Sequence, residues 1–453
     1  MNSPIEQIFT RMSELGEIPA IYYKNKTWSY RFFLEKIDAR LAELKADGVT
    51  QGSICAVFGD FSPEVSATLF ALMKLKAIIV PVTQDVSTEM NHLLETAGAQ
   101  FLYSFDKNDS SILKVLTPKE QPPLVTKFVA EKHAGLIVFT SGSTGKPKGI
   151  LHDCENVMEK FLEKRKGWKT VLFLLMDHFG GFNTFLSCFA YGGMAVCPED
   201  RTPSSIAKVI QESKADLLPT TPTFLNLLFA GKTYTQFDLS SIELITYGTE
   251  MMTDTTLKNI AEVFPKANLK QTYGMSELGV LQSKSENKDS LWMKIGGTGF
   301  NIKVVENILW VKSRANMIGY INAPNPFDED GWLCTGDEVE VRGEYIRFMG
   351  RKSEIINVGG KKVFPSEVEG VILDFENIKD VTVFASTHPI MGQVVHAKVT
   401  TIENVEHRDY IEKLRKFCNE RLAKYKVPVK FTITDEDDRH HSNRFKKDRK
   451  NNV

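Results

Sequence analysis

From about residue 20 to about residue 340, short apolar runs alternate with stretches of helical period, the pattern of α/β units built around sheets. Ser53 to Gly59 reads as a buried strand, Pro63 to Leu75 as a helix and Ala77 to Val82 as the next strand. Further on, Ala134 to Phe139 reads as a strand, and Asp153 to Lys164 as a helix that Asp153 caps by accepting first-turn amides. Val171 to Met176 reads as another apolar strand, and Thr117 to Lys132 as a compact linker. Past residue 350 the texture changes. Glu367 to Leu373 and His407 to Leu422 read as amphipathic helices, with the β-branched runs Val381 to Phe384 and Val394 to Val399 between them, as expected of a small α+β domain. Asp435 to Val453 is polar and mixed in charge, which predicts a mobile tail.

Lys and Arg number 56 against 57 Asp and Glu, a formal charge of −1, so the chain as a whole has no attraction for nucleic acid or an anionic membrane. Its longest apolar stretches end in a charge well before the ~18 residues of a spanning helix, so no membrane span is expected. Met1 to Glu6 lacks a basic region followed by an apolar one, which predicts a cytoplasmic protein. The six cysteines show neither a C-x-x-C pair nor ligand spacing, so they are expected to be reduced thiols.

The densest chemical signal is Thr140 to Gly149, TSGSTGKPKG, in which seven of ten positions are Gly, Ser or Thr. Glycines turn backbone N–H groups inward, hydroxyls add donors, and Lys146 and Lys148 add positive charge, so the segment suits a polyphosphate. A surface turn is the ordinary use of such a composition, but the place between a buried strand and a capped helix favours the phosphate reading. It is not a Walker loop, because Gly145-Lys146 is followed by Pro147 rather than Ser or Thr.

TSGSTGKPKG resembles the phosphate loop of the adenylate-forming superfamily: acyl- and aryl-CoA synthetases, luciferases and peptide-synthetase adenylation domains. Similar motifs follow in that family's order. They are Tyr273-Gly274-Met275-Ser276-Glu277, Gly331-Trp332-Leu333-Cys334-Thr335-Gly336-Asp337, Gly350-Arg351-Lys352-Ser353-Glu354 and Asn443-Arg444-Phe445-Lys446-Lys447-Asp448-Arg449. The upstream run Leu72 to Pro81 also resembles the family's early helix–strand element, so the likeness covers nearly the whole chain.

The resemblance implies a role for each motif. ATP would be held by Thr140, Ser141, Gly142, Ser143, Thr144, Gly145 and Lys148, by Gly248, Thr249, Tyr273 and Ser276, and by Asp337 and Arg351 at the ribose. Glu277 would hold Mg2+, a hard cation that takes oxygen ligands. Tyr273 would offer its ring to adenine, and Gly248 would admit the other side. Lys446 would swing in to bridge the carboxylate and the α-phosphate. Ser353 stands at the hinge, where relatives often have Asp or Lys, and Phe445 stands where they have Gly. Gly359 and Gly360 would line the acceptor channel for coenzyme A or the phosphopantetheine of a carrier protein.

For the substrate pocket the resemblance points to His178, Phe179, Gly248, Gly274 and Met275, with His178 as a gate counted among the catalytic residues. Phe179, Phe182, Phe185 and Phe224 make that neighbourhood aromatic, although a stripe of Phe is more often plain core. Asp177 is the one hint of an amino-acid substrate, but the Phe-Asp-x-Ser pattern of amino-acid-activating relatives is absent.

The expectation is an α/β fold: a large multi-subdomain N-terminal α/β domain with mixed sheets over 1–352, and a small mobile α+β lid over 353–453. The expected function is an ATP-dependent ligase that adenylates a small carboxylic acid and passes the acyl group to a thiol, most simply coenzyme A. The alternatives are an enzyme loading an amino or hydroxy acid onto an acyl carrier protein, and a catalytically silent nucleotide-binding protein.

Overall fold

Helices feeding parallel strands build the first two sheets of the computed structural model, which describes residues 3–117, 120–140, 147–248, 250–287, 290–297, 299–389 and 391–434. In the first sheet Asn268–Gln271, Leu244–Tyr247, Leu217–Thr220, Lys169–Val171, Met194–Val196 and Pro19–Tyr23 run parallel, and Lys26–Ser29 closes one edge as a hairpin. In the second, Gly135–Thr140, Ile78–Val82, Ile54–Phe58 and Phe101–Phe105 form a parallel centre with antiparallel strands at both edges. The third sheet, from Tyr273–Met275 to Tyr345–Arg351, is antiparallel throughout.

Helix Pro63–Lys74 lies in the core shared by the first two sheets. Ser62 caps it by accepting from the Val65 amide at 3.1 Å, and Pro63 opens its first turn, where a missing N–H costs nothing. Phe70 of this helix packs against Phe185 and Phe189 of helix Phe179–Ala190 at ring separations of 5.0 and 5.3 Å. Phe182, Phe185 and Phe224 are fully buried in the cores, so three of the four neighbouring phenylalanines are packing residues.

A separate apolar cluster runs from Ile356 to Phe431. It joins helices Pro365–Leu373 and His407–Arg421 to a sheet whose long strands are Ile378–His388 and Gly392–Thr401. Among the described residues no helix is long and apolar enough to cross a membrane. Asp435 to Val453, read from composition as a tail, lies outside the described residues.

Four local expectations are corrected. Lys148–Asp153 is a strand, so TSGSTGKPKG joins two antiparallel strands rather than a strand and a helix. Helix Cys154–Glu159 begins only after that strand and ends early in tight turns, where the Phe161 and Leu162 amides donate to the carbonyls three residues back and their own carbonyls accept from the Arg11 guanidinium at 3.0 and 2.9 Å. The strand at Val171 stops there: buried Arg201 donates to the carbonyls of Leu172 and Phe173, groups a neighbouring strand would otherwise use. The segment read as a linker contains helix Pro123–Val129, opened by two prolines.

Candidate functional site

The third sheet carries the residues expected at the nucleoside. Asp337 on Leu333–Arg342 and Arg351 at the end of Tyr345–Arg351 are cross-strand partners, and Arg351 Nε donates to Asp337 Oδ1 at 3.1 Å. Tyr273 Oη donates to Asp337 Oδ2 at 2.6 Å, so both carboxylate oxygens are held from opposite sides. Burial pushes the Asp337 carboxyl up, and the Arg351 charge opposes that push. Tyr273 is itself pushed up by burial and then by the Asp337 charge. Its ring stacks on Phe348 at 4.5 Å and 19°, so one of its two faces is taken.

The glycines around this point answer to close approaches of the chain itself. A Cβ on Gly248 would lie 2.6 Å from Thr272 Oγ1 and 2.9 Å from its carbonyl oxygen, so Gly248 is required for the crossing of 244–248 over Thr272. A Cβ on Gly274 would lie 2.7 Å from the Gly279 carbonyl oxygen, across the tight pair formed by Tyr273–Met275 and Gly279–Ser285.

Two residues beyond Met275 stands Glu277, expected at the phosphates. Glu277 Oε1 accepts from Tyr320 Oη at 2.7 Å, and Lys148 Nζ sits 5.0 Å over the Tyr320 ring. Burial and the Glu277 charge push the Tyr320 hydroxyl up, so it stays a donor. Lys148 pairs in register with Thr140, which places the two ends of the phosphate segment side by side. The helix at Cys154 lies one strand length, about 17 Å, away. Its capping residue Asp153 already accepts from the Glu155 amide at 2.9 Å. The N-terminus of that helix therefore does not lie beside Thr140 and Lys148.

The residues expected at the acyl pocket follow an irregular stretch of chain. His178 precedes helix Phe179–Ala190, and its carbonyl accepts from the Phe182 amide at 3.0 Å. The sequence here runs His178-Phe179-Gly180-Gly181, a His-x-x-Gly segment whose last glycine is forced: a Cβ on Gly181 would lie 1.9 Å from the Leu175 carbonyl oxygen. Just before His178, buried Asp177 accepts from Thr83 Oγ1 at 2.8 Å, close to buried Arg201, which pairs with half-exposed Asp60. Asp177, the one hint of an amino-acid substrate, thus already accepts from a hydroxyl of the chain itself.

Ser353 lies in the short turn Lys352–Glu354, between Arg351 and the strand Ile356–Val358. Gly359 and Gly360, at φ 56° and 83°, form the two-residue turn to Lys361–Val363, where positive φ at both positions suits a tight hairpin. Lys362 Nζ reaches back to Glu338, 2.9 and 3.0 Å from its two oxygens, beside Asp337. Thr255 donates to Asp374, and helix Pro365–Leu373 packs near helix Asp254–Val263.

Residues 9–310 match the AMP-binding enzyme family, and residues 367–444 match the AMP-binding enzyme C-terminal domain. The chain belongs to the AMP-binding enzyme family. It is 25% identical over 472 residues to the indoleacetate–CoA ligase of Aromatoleum aromaticum, covering 92% of this chain and 91% of that protein. It is 24% identical over 427 residues to a medium/long-chain-fatty-acid–[acyl-carrier-protein] ligase of Mycobacterium tuberculosis, covering 81% and 78%. Its fold matches a solved anthranilate CoA ligase in complex with anthranoyl-AMP, with a TM-score of 0.82 at 18% identity over 96% of this chain and 94% of that one.

In this AMP-binding enzyme, Tyr273, Asp337 and Arg351 come together at one end of a short track and Glu277 and Lys148 at the other, with Gly274, Met275 and Ser276 between. Ser141, Gly142, Ser143, Thr144, Gly145, Thr249 and Lys446 lie outside the described residues. Sequence reading missed Tyr320, Phe348 and Arg201. Only Tyr320 carried a local signal, in the Gly319-Tyr320 pair that forms an edge strand beside the phosphate segment.

Proposed function

We propose that this chain is an AMP-forming acid–thiol ligase with an N-terminal domain over 1–352 and a lid over 353–453. The track from Asp337 to Glu277 and Lys148 supports this reading, because it joins a ribose-type acceptor, through Tyr273 and the five-residue segment it opens, to a carboxylate and a cationic group. In the first half-reaction a carboxylate oxygen of the acid attacks the α-phosphorus of ATP and pyrophosphate leaves. In the second, the thiol sulfur of coenzyme A attacks the acyl carbonyl carbon, AMP leaves, and the thiol proton passes to solvent.

Asp337 accepts from the ribose hydroxyls, with Arg351 holding its carboxylate in place. Tyr273 offers its other face to adenine. Thr140 to Gly145, Thr249, Ser276 and Lys148 donate to phosphate oxygens. The donor set suits Mg2+: Glu277 is a single carboxylate with one oxygen braced by Tyr320, and a magnesium ion held mainly by phosphates and water needs no more. When bound it neutralises charge on the phosphate oxygens. Lys446 bridges the reacting carboxylate and the α-phosphate, Ser353 is the hinge, and His178 gates the pocket bordered by Phe179, Gly248, Gly274 and Met275. Gly359 and Gly360 line the channel for the thiol.

Purified protein with ATP, Mg2+ and a panel of carboxylic and amino acids tests the reading through pyrophosphate release, without and with coenzyme A. Release that rises with one acid and forms its thioester supports it. Release confined to amino acids, with no thioester, overturns it in favour of a carrier-protein loader, and bound ATP with no release from any acid overturns it in favour of a silent binder.

A further inference from the structure

Lys160 ends helix Cys154–Glu159 with its amine beside Phe179, the residue that borders the candidate acyl pocket. The amine donates to Asn183 Oδ1, one turn along the helix that Phe179 opens, and lies 6.0 Å from the Phe179 ring centroid and 5.0 Å from that of Phe161. The Phe179 ring is also met by His152, with centroids 4.4 Å apart at 34°. His152 is fully buried against the Ser276 main chain, short of hydrogen-bond geometry for either ring nitrogen. Phe179 Cε1 is 3.7 Å from where a Cβ on Gly279 would stand, and Gly279 pairs with Met275. Lys160, Asn183 and His152 thus put polar groups around the ring that adjoins the Met275 end of the track.

Among the described residues Lys160 shows no carboxylate partner of the kind that two buried arginines have. Arg201 has Asp60, and Arg40 has Glu43. Among the described residues Lys160 has a neutral amide as its hydrogen-bond partner, and the charged neighbour that acts on its amine is Arg165, of the same sign. An ammonium has three donors, so two remain beyond Asn183. A cation partly drawn out of water is stabilised by a counter-charge, and none is shown for this one among the described residues.

We propose that Lys160, oriented by Asn183, sets the specificity of the acyl pocket and selects carboxylic acids that carry a second anionic group, a second carboxylate above all. The proposal rests on the ligase reading and names its substrate class. The reacting carboxylate faces the phosphate end, and the far one reaches past Phe179 to the amine and supplies a counter-charge. A plain alkyl or aryl acid supplies none.

Matched acids test this by pyrophosphate release: adipate against hexanoate, and terephthalate against benzoate. The wild-type enzyme is expected to favour the dicarboxylate in at least one pair by about tenfold or more in kcat/KM, the scale of one hydrogen bond between charged groups. Lys160→Met is expected to bring that ratio to about one while still turning over the neutral acid, which also reports that the variant folds. Asn183→Leu, which keeps the charge and removes its orientation, lowers the ratio by less. Burial, followed by the Arg165 charge, brings the Lys160 amine down to about 7. Arg165, Asn183 and the buried His152 ring face it, and the low pKa of that ring, about 3, keeps it neutral in this range. The amine is charged below about pH 7, so the wild-type preference is greatest there and is lost as the pH rises through it, and kcat/KM reads this in the free enzyme. A preference for the neutral acid in every pair, a ratio unchanged in Lys160→Met, or a ratio independent of pH across this range overturns the proposal and leaves the ligase standing. Pyrophosphate from none of the acids in this set or the broader panel defeats the ligase reading, and the proposal with it.

Discussion

The nucleoside end and the acyl end are built by opposite means. Asp337 and Arg351 are register partners in an antiparallel sheet, so main-chain hydrogen bonds fix their separation before any ligand arrives. The acyl end rests on 172–178, whose strand is cut short by Arg201 and whose turn into the next helix depends on Gly181. A regular sheet holds groups that serve every substrate alike, whereas an irregular segment with buried charges beneath it can be rebuilt for a new acid without disturbing the sheet. The two ends should therefore fail in different ways.

The largest effect is expected at Lys446, which serves neither end alone. Lys446→Ala should lower adenylate formation by at least about 10²- to 10³-fold, the scale of losing one group aimed at developing charge, and leave thiol transfer from a supplied acyl-adenylate near normal. Equal loss in both half-reactions would assign the residue to the fold. Next comes Asp337→Ala, which takes from the ribose its acceptor and from Arg351 its partner. A loss of about 10- to 100-fold in kcat/KM for ATP is expected, with the KM of the acid little changed. If both constants move together, the two ends are not separable and the contrast between them breaks.

Gly181→Ala probes the acyl end in the same spirit. Its Cβ would meet main chain at 1.9 Å, so 172–178 has to shift, at a cost of about 1–3 kcal/mol or more. Thermal unfolding should move down by several degrees and the KM of the acid should rise, while the KM of ATP holds. An unchanged acid KM would show that the His-x-x-Gly turn does not shape the pocket.

Legibility followed the same divide. Motifs at the nucleoside end are contiguous in sequence, because one strand or turn presents several donors at once, and Tyr273, Asp337, Arg351 and Glu277 were all readable from short segments. Their partners were not: Tyr320 lies 43 residues from Glu277, and Phe348 approaches Tyr273 only because the sheet folds them together. At the acyl end the apolar run Val171 to Met176 predicted a strand correctly by composition and wrongly in fact, because a guanidinium from residue 201 claims its carbonyls. Lys148–Asp153 was missed because its six residues contain a Gly, a His and two charges, yet it pairs fully with Gly135–Thr140. The Ile356 to Phe431 unit was better foreseen, since its helices carry clean apolar stripes and its strands β-branched runs.

The smallest effect is expected where the lid touches the nucleoside end. Lys362 bridges Glu338, next to Asp337, but its side chain is 60% exposed, so the pair is worth under about 1 kcal/mol. Lys362→Met should leave thermal stability within about that amount. If rotation at Ser353 separates this pair for the second half-reaction, the bridge stabilises only the arrangement described here. Its loss then speeds thiol transfer relative to adenylation by less than about fivefold. Rapid-mixing measurement of the two steps reads the ratio. A ratio shifted the other way would mean that the bridge persists or strengthens in the transfer step, and that the lid hairpin, like the sheet it leans on, is part of the fixed end of the enzyme.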